Sequence, residues 1–145
     1  MHWRLQMPRI EHERVLAAIR AAEARTSGEI RVLVVRHKVV DPVAAAKVYF
    51  THLGMEKSRL RNGVLIFLAP LSRNFAVVGD AGVHERCGDA FWAELAAAMG
   101  TRFRQRAFTD GLVHGIERAG ELLAGAFPRP AEGGKAGKAV ADEVD

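Results

Sequence analysis

Cysteine is almost absent from this chain, with Cys87 the single thiol among 145 residues. One thiol can form neither an intramolecular disulfide nor a zinc site built mainly from thiolates. A cysteine-dependent phosphatase is excluded as well, because the residues that follow, from Gly88 to Ala93, contain no arginine to close a phosphate-binding loop. We therefore expect Cys87 to be a small apolar residue packed in a helix.

Long apolar runs are also missing. The longest, residues 63–71, covers 9 positions, whereas a membrane-spanning helix needs roughly 20. Residues 1–8 contain no apolar block followed by small residues, so they do not resemble a secretory signal. The sequence thus predicts a soluble cytoplasmic protein with no membrane span.

Three common catalytic motifs do not occur. The chain has no Gly-x-Ser-x-Gly elbow, no Gly-x-x-x-x-Gly-Lys phosphate loop and no His-Glu-x-x-His zinc helix. His12-Glu13 and His84-Glu85 begin the third motif, but each lacks its second histidine. The corresponding serine α/β-hydrolases, P-loop NTPases and zinc proteases are not expected.

Positive charge is in modest excess and is not concentrated. The chain has 21 Lys and Arg residues against 17 Asp and Glu, a formal net charge of +4. The arginines are scattered among acids along predicted helices, whereas nucleic-acid binding normally leaves a clustered basic footprint. Nucleic acid is therefore an unlikely partner class on this sequence.

What the chain does contain is one domain followed by a polar tail. Its length suits a single core, and hydrophobic residues make up 49% of it. Pro128 and Pro130 end the periodic pattern, and the remaining residues are mostly Gly, Lys, Ala and acids. We predict an α/β domain over residues 1–127 and a disordered tail over residues 128–145.

The hydrophobic pattern changes period several times along the domain. Helical spacing predicts helices over residues 10–25, 43–53, 89 or 90 to about 103, and 110–127, and continuous aliphatic runs predict strands over 29–35, 63–69 and 74–79. A helix joins the first two strands, so they should be parallel, while the short link to the third makes it antiparallel. This order predicts a small mixed sheet between helical layers.

Such a sheet brings polar residues from three separate segments to one edge. Glu29 and Asn62 begin the parallel strands, with Arg61 beside them, and Asp80 ends the reversed strand at the same edge. Carboxylate and amide oxygens are the ligands that Ca²⁺ and Mg²⁺ prefer. Asp110 would add a third carboxylate if the last helix begins nearby, and the sequence then predicts a divalent-cation site.

Each of these residues also has a structural interpretation. Asn62 precedes a glycine, which is common in turns. Asp80 is placed to cap a short helical turn over residues 82–86, and Asp110 lies where a helix favours negative charge. On composition and spacing alone the two interpretations stay open.

Five stretches in a fixed order carry a resemblance to a known family. They are Thr26-Ser27-Gly28-Glu29-Ile30, Asn62-Gly63-Val64-Leu65-Ile66-Phe67, Arg73-x-Phe75-Ala76-Val77-Val78-Gly79-Asp80-x-Gly82-Val83-His84, Phe91-Trp92, and Phe108-x-Asp110-Gly111-Leu112 with Gly115-Ile116. Together they resemble the TPM domain family, which is named for a thylakoid-lumen phosphatase, a photosystem-repair protein and a nematode receptor regulator. The likeness runs from about Ile10 to Phe127.

The resemblance implies a three-layer α/β/α sandwich and, in some members, divalent-cation binding by loop acids at one sheet edge. Carried onto this chain, the candidate ligands of Ca²⁺ or Mg²⁺ are Asn62, Asp80 and Asp110, with Glu29 nearby. Many members are exported and tethered to a membrane. This sequence shows neither feature, which places it with a soluble bacterial subgroup.

Two functions follow from the resemblance. The favoured one is a non-catalytic TPM-type binding domain that acts on a protein partner or a phosphate-containing ligand. The alternative is a metal-assisted phosphomonoesterase, as some plant members are described as acid phosphatases. In that enzyme His84 would protonate the leaving group, since histidine is a common general acid.

A further group of basic residues lies near the end of the third long helix. Arg102, Arg104 and Arg106 alternate there. They are arranged either to serve an anionic ligand or to form a solvated surface that favours the helix dipole.

Overall fold

A computed structural model of the protein describes residues 7–130. The helices are α1 (His12–Glu23), α2 (Pro42–His52), α3 (Ala81–Cys87), α4 (Asp89–Arg104) and α5 (Phe108–Ala126), and the strands are β1 (Glu29–Val34), β2 (Gly63–Ala69) and β3 (Asn74–Gly79). Single 3₁₀ turns follow α2 at Met55–Lys57 and β2 at Pro70–Ser72.

The three strands form one mixed sheet in the order β1-β2-β3. β1 runs parallel to β2, with Glu29 opposite Gly63, and β3 runs antiparallel to β2, with Gly79 opposite Val64. All seven residues of β2 are buried, as a central strand covered on both faces requires. The predicted topology is confirmed.

Alternate residues of β2 supply the two halves of the core. Val64, Ile66 and Leu68 pack with α1, α4 and α5 on one face of the sheet. Leu65 and Phe67, with Ala69, face α2 on the other. The two-residue period of a strand thus places α1, α4 and α5, with Val83 of α3, on one face of the sheet and α2 on the other, and the three-layer α/β/α fold class is confirmed.

Small residues let α4 and α5 pack closely. A Cβ atom at Gly111 would lie 2.7 Å from Cδ1 of Phe103. A Cβ at Gly115 would lie 2.6 Å from Cγ of Met99. The two glycines therefore fix how α5 lies against α4.

The direction of α5 decides which residues it can bring to each end of the sheet. Its C-terminal end lies beside the start of β1, where the carbonyl of Phe127 accepts hydrogen bonds from Thr26 Oγ1 at 2.5 Å and Ser27 N at 3.0 Å. Its first residue, Phe108, lies at the other end, in a cavity shared with Leu68 and Asn74. Helix α5 therefore spans the sheet from end to end.

The chain keeps contact with the domain just past α5. Pro128 bridges to Thr26, and Arg129 Nη1 donates to the carbonyl of Glu23 at 2.8 Å. These two residues belong to the segment that the sequence assigned to the tail. Residues 131–145 of the predicted disordered tail lie outside the described residues.

Within residues 7–130, none of the helices combines the length and the apolar character needed to cross a membrane.

Candidate functional site

The starting edge is the end of the sheet where β1 and β2 begin and β3 ends, and it contains Glu29, Asn62 and Asp80. Glu29 pairs with Gly63 in the parallel register. The amide of Asp80 donates to the carbonyl of that same Gly63 at 3.0 Å. The structure therefore brings these three predicted site residues to one edge, as the topology required.

Asp80 is held by a bidentate ion pair. Nε of Arg61 lies 2.7 Å from Oδ2 of Asp80, and Nη2 lies 2.7 Å from Oδ1. The Asp80 side chain is 5% exposed, whereas that of Arg61 is 50% exposed. A planar guanidinium matched to both carboxylate oxygens is a strong and geometrically specific arrangement.

Asp80 also begins helix α3. Its Oδ1 accepts a hydrogen bond from the Ala81 amide at 2.8 Å, so the capping interpretation of this residue holds in the structure. Burial disfavours the charged carboxylate, but the hydrogen bonds from Arg61 and Ala81 outweigh it and lower the pKa of Asp80 below its ordinary value. Asp80 is therefore an anion with three donors already in place.

Close backbone packing positions Arg61 for this pair. The amide of Gly82 donates to the carbonyl of Arg61 at 2.8 Å, and a Cβ atom at Gly82 would lie 2.6 Å from the same oxygen. Arg61 itself has a left-handed backbone, with φ of 53°. The sequence placed Arg61 at this edge but did not predict the pair; its charge, opposite to that of Asp80 at a shared edge, was the available signal.

Asn62 holds the loop before β2 in place through hydrogen bonds. It is 2% exposed, and its Nδ2 donates to Ser27 Oγ at 3.3 Å. Its Oδ1 accepts a long hydrogen bond of 3.5 Å from Ser58 Oγ, which also accepts from the Asn62 amide at 3.3 Å. The Asn62 amide oxygen is thus engaged inside the loop.

Glu29 forms an ion pair with Arg31, two residues further along β1. Its Oε2 lies 3.4 Å from Nε of Arg31, and its side chain is 25% exposed. Both carboxylates of the starting edge are therefore matched by an arginine.

Asp110 does not reach this edge. Its Oδ1 accepts from Nη2 of Arg14 at 2.8 Å, with the Asp110 side chain 56% exposed. Helix α5 begins at the opposite end of the sheet, so the expectation that its first turn would add a third ligand needs correction. The sequence gives the position of Asp110 along α5 but not the end of the sheet at which α5 begins.

Residues 7–130 contain no group of three or more His, Cys, Asp or Glu side chains arranged to hold a metal ion. A divalent cation at the starting edge stays a prediction, and its remaining candidate ligands are Asp80, Asn62 and Glu29.

A cavity of about 540 Å³ opens beside Asp80, and we call it the starting-edge cavity. Arg61, Asp80, His84 and Glu56 supply polar groups to its lining. His84 Nδ1 accepts a hydrogen bond from Trp92 Nε1 at 3.2 Å. Oε1 of Glu56 is buried and has no hydrogen-bond partner among the described residues, so one carboxylate oxygen here is unsatisfied.

The TPM domain matches residues 7–122 of the chain. The BA42 protein from the psychrophilic bacterium Bizionia argentinensis, known from an NMR structure, is 39% identical with a TM-score of 0.76; the match covers 82% of this chain and 84% of that one. No protein with a curated description matches.

Two more distant structures share the fold alone. The N-terminal domain of cg2496 from Corynebacterium glutamicum is 18% identical with a TM-score of 0.62, covering 86% of this chain and 74% of that one. The N-terminal domain of a P. gingivalis protein is 19% identical with a TM-score of 0.61, covering 79% and 74%. Because the family match spans most of the domain and the fold agrees with it, this chain belongs to the TPM domain family.

Proposed function

We propose that this chain is a non-catalytic TPM-type binding domain whose functional surface is the starting-edge cavity. The observation that carries the proposal is the state of Asp80, which two guanidinium nitrogens and one backbone amide already hold. A carboxylate with three donors and a lowered pKa is a poor base. Asp80 can therefore contribute to ligand binding through Arg61 and the Ala81 amide without acting as a catalytic base.

The cavity offers a ligand both charge and apolar surface. Arg61 and Lys47 are its cations, while Trp92 and Val78 contribute apolar surface. Concave sites with a few convergent polar groups are the usual form of a ligand pocket. Its ligand is a phosphate-containing molecule or a protein partner, and Arg61 provides the contact suited to either a phosphate or a carboxylate.

The proposal includes a divalent cation, Ca²⁺ or Mg²⁺, bound at Asp80 with Asn62 and Glu29 nearby. Arg61 and the cation would compete for one carboxylate. The Arg61 side chain is half exposed and can swing away from Asp80 into solvent, and Glu56 lines the same cavity. Because of this competition we expect weak binding, with a Kd on the order of 10⁻³ M.

A metal titration tests the cation with a matched control. Backbone amide shifts and Tm are followed as CaCl₂ or MgCl₂ is added to the wild type, Asp80→Asn and Asp110→Asn. We expect the wild type and Asp110→Asn to respond alike, with shifts centred on residues 61–62 and 80–82, and Asp80→Asn to lose the response. A ligand well above its Kd raises Tm, so an unchanged wild-type Tm and spectrum would remove the cation from the proposal.

The second candidate is a metal-assisted phosphomonoesterase, and it rests on His84 lining the same cavity as Asp80. There the cation would polarise the phosphate and activate a water molecule, which would attack phosphorus as the bond to the leaving oxygen breaks, and His84 would protonate that oxygen. Hydrolysis of p-nitrophenyl phosphate by the metal-loaded protein decides between the two functions. Turnover that His84→Gln and Asp80→Asn abolish and Asp110→Asn retains would replace the binding domain with the enzyme. Metal binding without turnover supports the binding domain.

A further inference from the structure

A second cavity lies at the opposite end of the sheet, between the start of β3 and the connection from α4 to α5. We call it the far-edge cavity. Its volume is about 600 Å³, within the range of small-molecule sites. The residues that line it are Leu68, Arg73, Asn74, Phe75, Gly100, Phe103, Arg104, Arg106 and Phe108.

Three arginines supply all the formal charge of this lining, because no Asp or Glu is part of it. Arg73, Arg104 and Arg106 are exposed, and none forms an ion pair with another described residue. Within residues 7–130, the side chain of Arg104 donates only to Thr101 Oγ1, at 3.3 Å. The far-edge cavity therefore concentrates positive charge that no described acid neutralises.

Arg102 behaves differently from its two neighbours in the sequence. It does not line the cavity, and its Nη1 donates to the carbonyl of Ala98 at 3.2 Å within α4. The helix-end interpretation therefore fits Arg102. Arg104 and Arg106 instead join Arg73, which arrives from the other side of the cavity on the turn before β3.

Aromatic rings form the apolar part of the cavity. Phe75 and Phe103 make an edge-to-face contact with centroids 5.0 Å apart, and Phe103 stacks on Phe108 at 5.9 Å. Cζ of Arg106 lies 5.3 Å from the centroid of Phe108. The guanidinium group of Arg106 thus lies against the aromatic wall.

Gly100 leaves space in this wall between Arg104 and the ring of Phe75. A Cβ atom there would lie 3.3 Å from Nη1 of Arg104 and 3.9 Å from Cζ of Phe75. Any larger side chain at Gly100 would therefore enter the space between the charged group and the aromatic ring.

Two of the arginines occupy backbone conformations that glycine adopts more easily. Arg73 has φ of 56° and Arg106 has φ of 62°, in the left-handed region where a Cβ atom is crowded. In those conformations the two residues end the turn before β3 and the turn after α4, one on each side of the cavity.

We propose that the far-edge cavity binds a small organic anion that carries an aromatic ring, with an aryl phosphate as the favoured class. The phosphate lies against Arg73, Arg104 and Arg106, and the ring packs against Phe75 and Phe103. Guanidinium groups pair with phosphate oxygens through charge-assisted hydrogen bonds, and three of them match a dianion. This site is separate from the starting-edge cavity and does not depend on the function proposed for it.

Phenyl phosphate is the probe that tests this site. Isothermal titration and amide shifts are recorded with phenyl phosphate, inorganic phosphate and phenol in parallel. We expect phenyl phosphate to bind more tightly than inorganic phosphate by about tenfold, because a stacked ring adds apolar contact. The amide shifts should centre on residues 73–75 and 100–108.

Two variants and a matched control make the result specific. Arg73→Gln/Arg104→Gln should weaken phenyl phosphate binding by at least about tenfold, as expected when charge-assisted hydrogen bonds are lost. Gly100→Leu should weaken it by filling the cavity while every charge stays. Arg20→Gln/Arg59→Gln removes the same net charge from exposed positions outside the cavity and should leave binding unchanged.

The proposal is overturned by any of three results. The first is equal binding of phenyl phosphate and inorganic phosphate. The second is equal weakening by the control pair, which would show attraction to net charge alone. The third is a set of amide shifts that leaves residues 73–75 and 100–108 unchanged.

Discussion

The two ends of the sheet hold charge in opposite ways. At the starting edge Asp80 pairs with Arg61 and Glu29 with Arg31. At the far-edge cavity three arginines face one space with no acid in the lining. Polar residues that meet at one end of a fold can therefore neutralise one another, whereas the three far-edge arginines have no ion-pair partner among the described residues.

The largest effect should come from disturbing the backbone that holds the starting edge together. Gly82→Ala places a Cβ against the carbonyl oxygens of Leu60 and Arg61, so the approach to β2 must shift and Arg61 must leave Asp80. We expect a loss of about 3 kcal/mol in the free energy of unfolding, measured by urea denaturation.

Gly125→Ala is the matched control for that change. Gly125 lies near the end of α5 with nothing within 4 Å of an added Cβ. Alanine should raise stability there by about 0.5 kcal/mol through its higher helix propensity. Equal losses at the two glycines would show that the contact with Arg61 does not matter.

Substitutions of Asp80 itself should give an intermediate effect. Asp80→Ala removes the cap of α3 and both hydrogen bonds from Arg61, and we expect a loss of about 2 kcal/mol. Asp80→Asn keeps an oxygen for the Ala81 amide, so about 1 kcal/mol should be lost. In the Arg61→Gln background the two variants should differ less from their parent, because the partner is already gone.

The pH dependence of stability gives a separate test of the ion pair between Arg61 and Asp80. The pKa of Asp80 is lower in the folded chain than its ordinary value of 3.8, so the unfolded chain takes up the proton first as pH falls. The stabilisation is present above that value and is lost below it, down to the folded pKa. The stability difference between the wild type and Asp80→Asn should therefore shrink as pH falls below about 4, and a constant difference would contradict the pair.

The smallest effect belongs to Asp110. Its pair with Arg14 joins two half-exposed side chains, and such surface pairs contribute little. Asp110→Asn should leave Tm within measurement error and leave metal response unchanged. A large loss of Tm or of the metal response in Asp110→Asn would indicate that Asp110 belongs to the cation site after all.

Much of the fold could be predicted because its signals are local. The aliphatic run of β2 is continuous and that of β1 is interrupted only by Arg31, and the lengths of the two connections determine which strands are parallel. That topology also places Glu29, Asn62 and Asp80 at one edge before any side chain is positioned.

The features that could not be predicted from the sequence depend on packing between secondary-structure elements. The end at which α5 begins follows from its contact with α4 through Gly111 and Gly115, so the sequence left open whether Asp110 lies near the starting edge. The pair of Arg61 with Asp80 depends on the loop before β2. Likewise, no sequence spacing relates Arg73 to Arg104.

A Ca²⁺ titration of Arg61→Gln against the wild type, followed through the amide shifts of residues 80–82, shows whether Arg61 and the cation compete for Asp80. If Arg61 and the cation compete for Asp80, removing the guanidinium should tighten Ca²⁺ binding by about tenfold. Unchanged or weaker Ca²⁺ binding in Arg61→Gln would show that Arg61 does not keep the cation from Asp80.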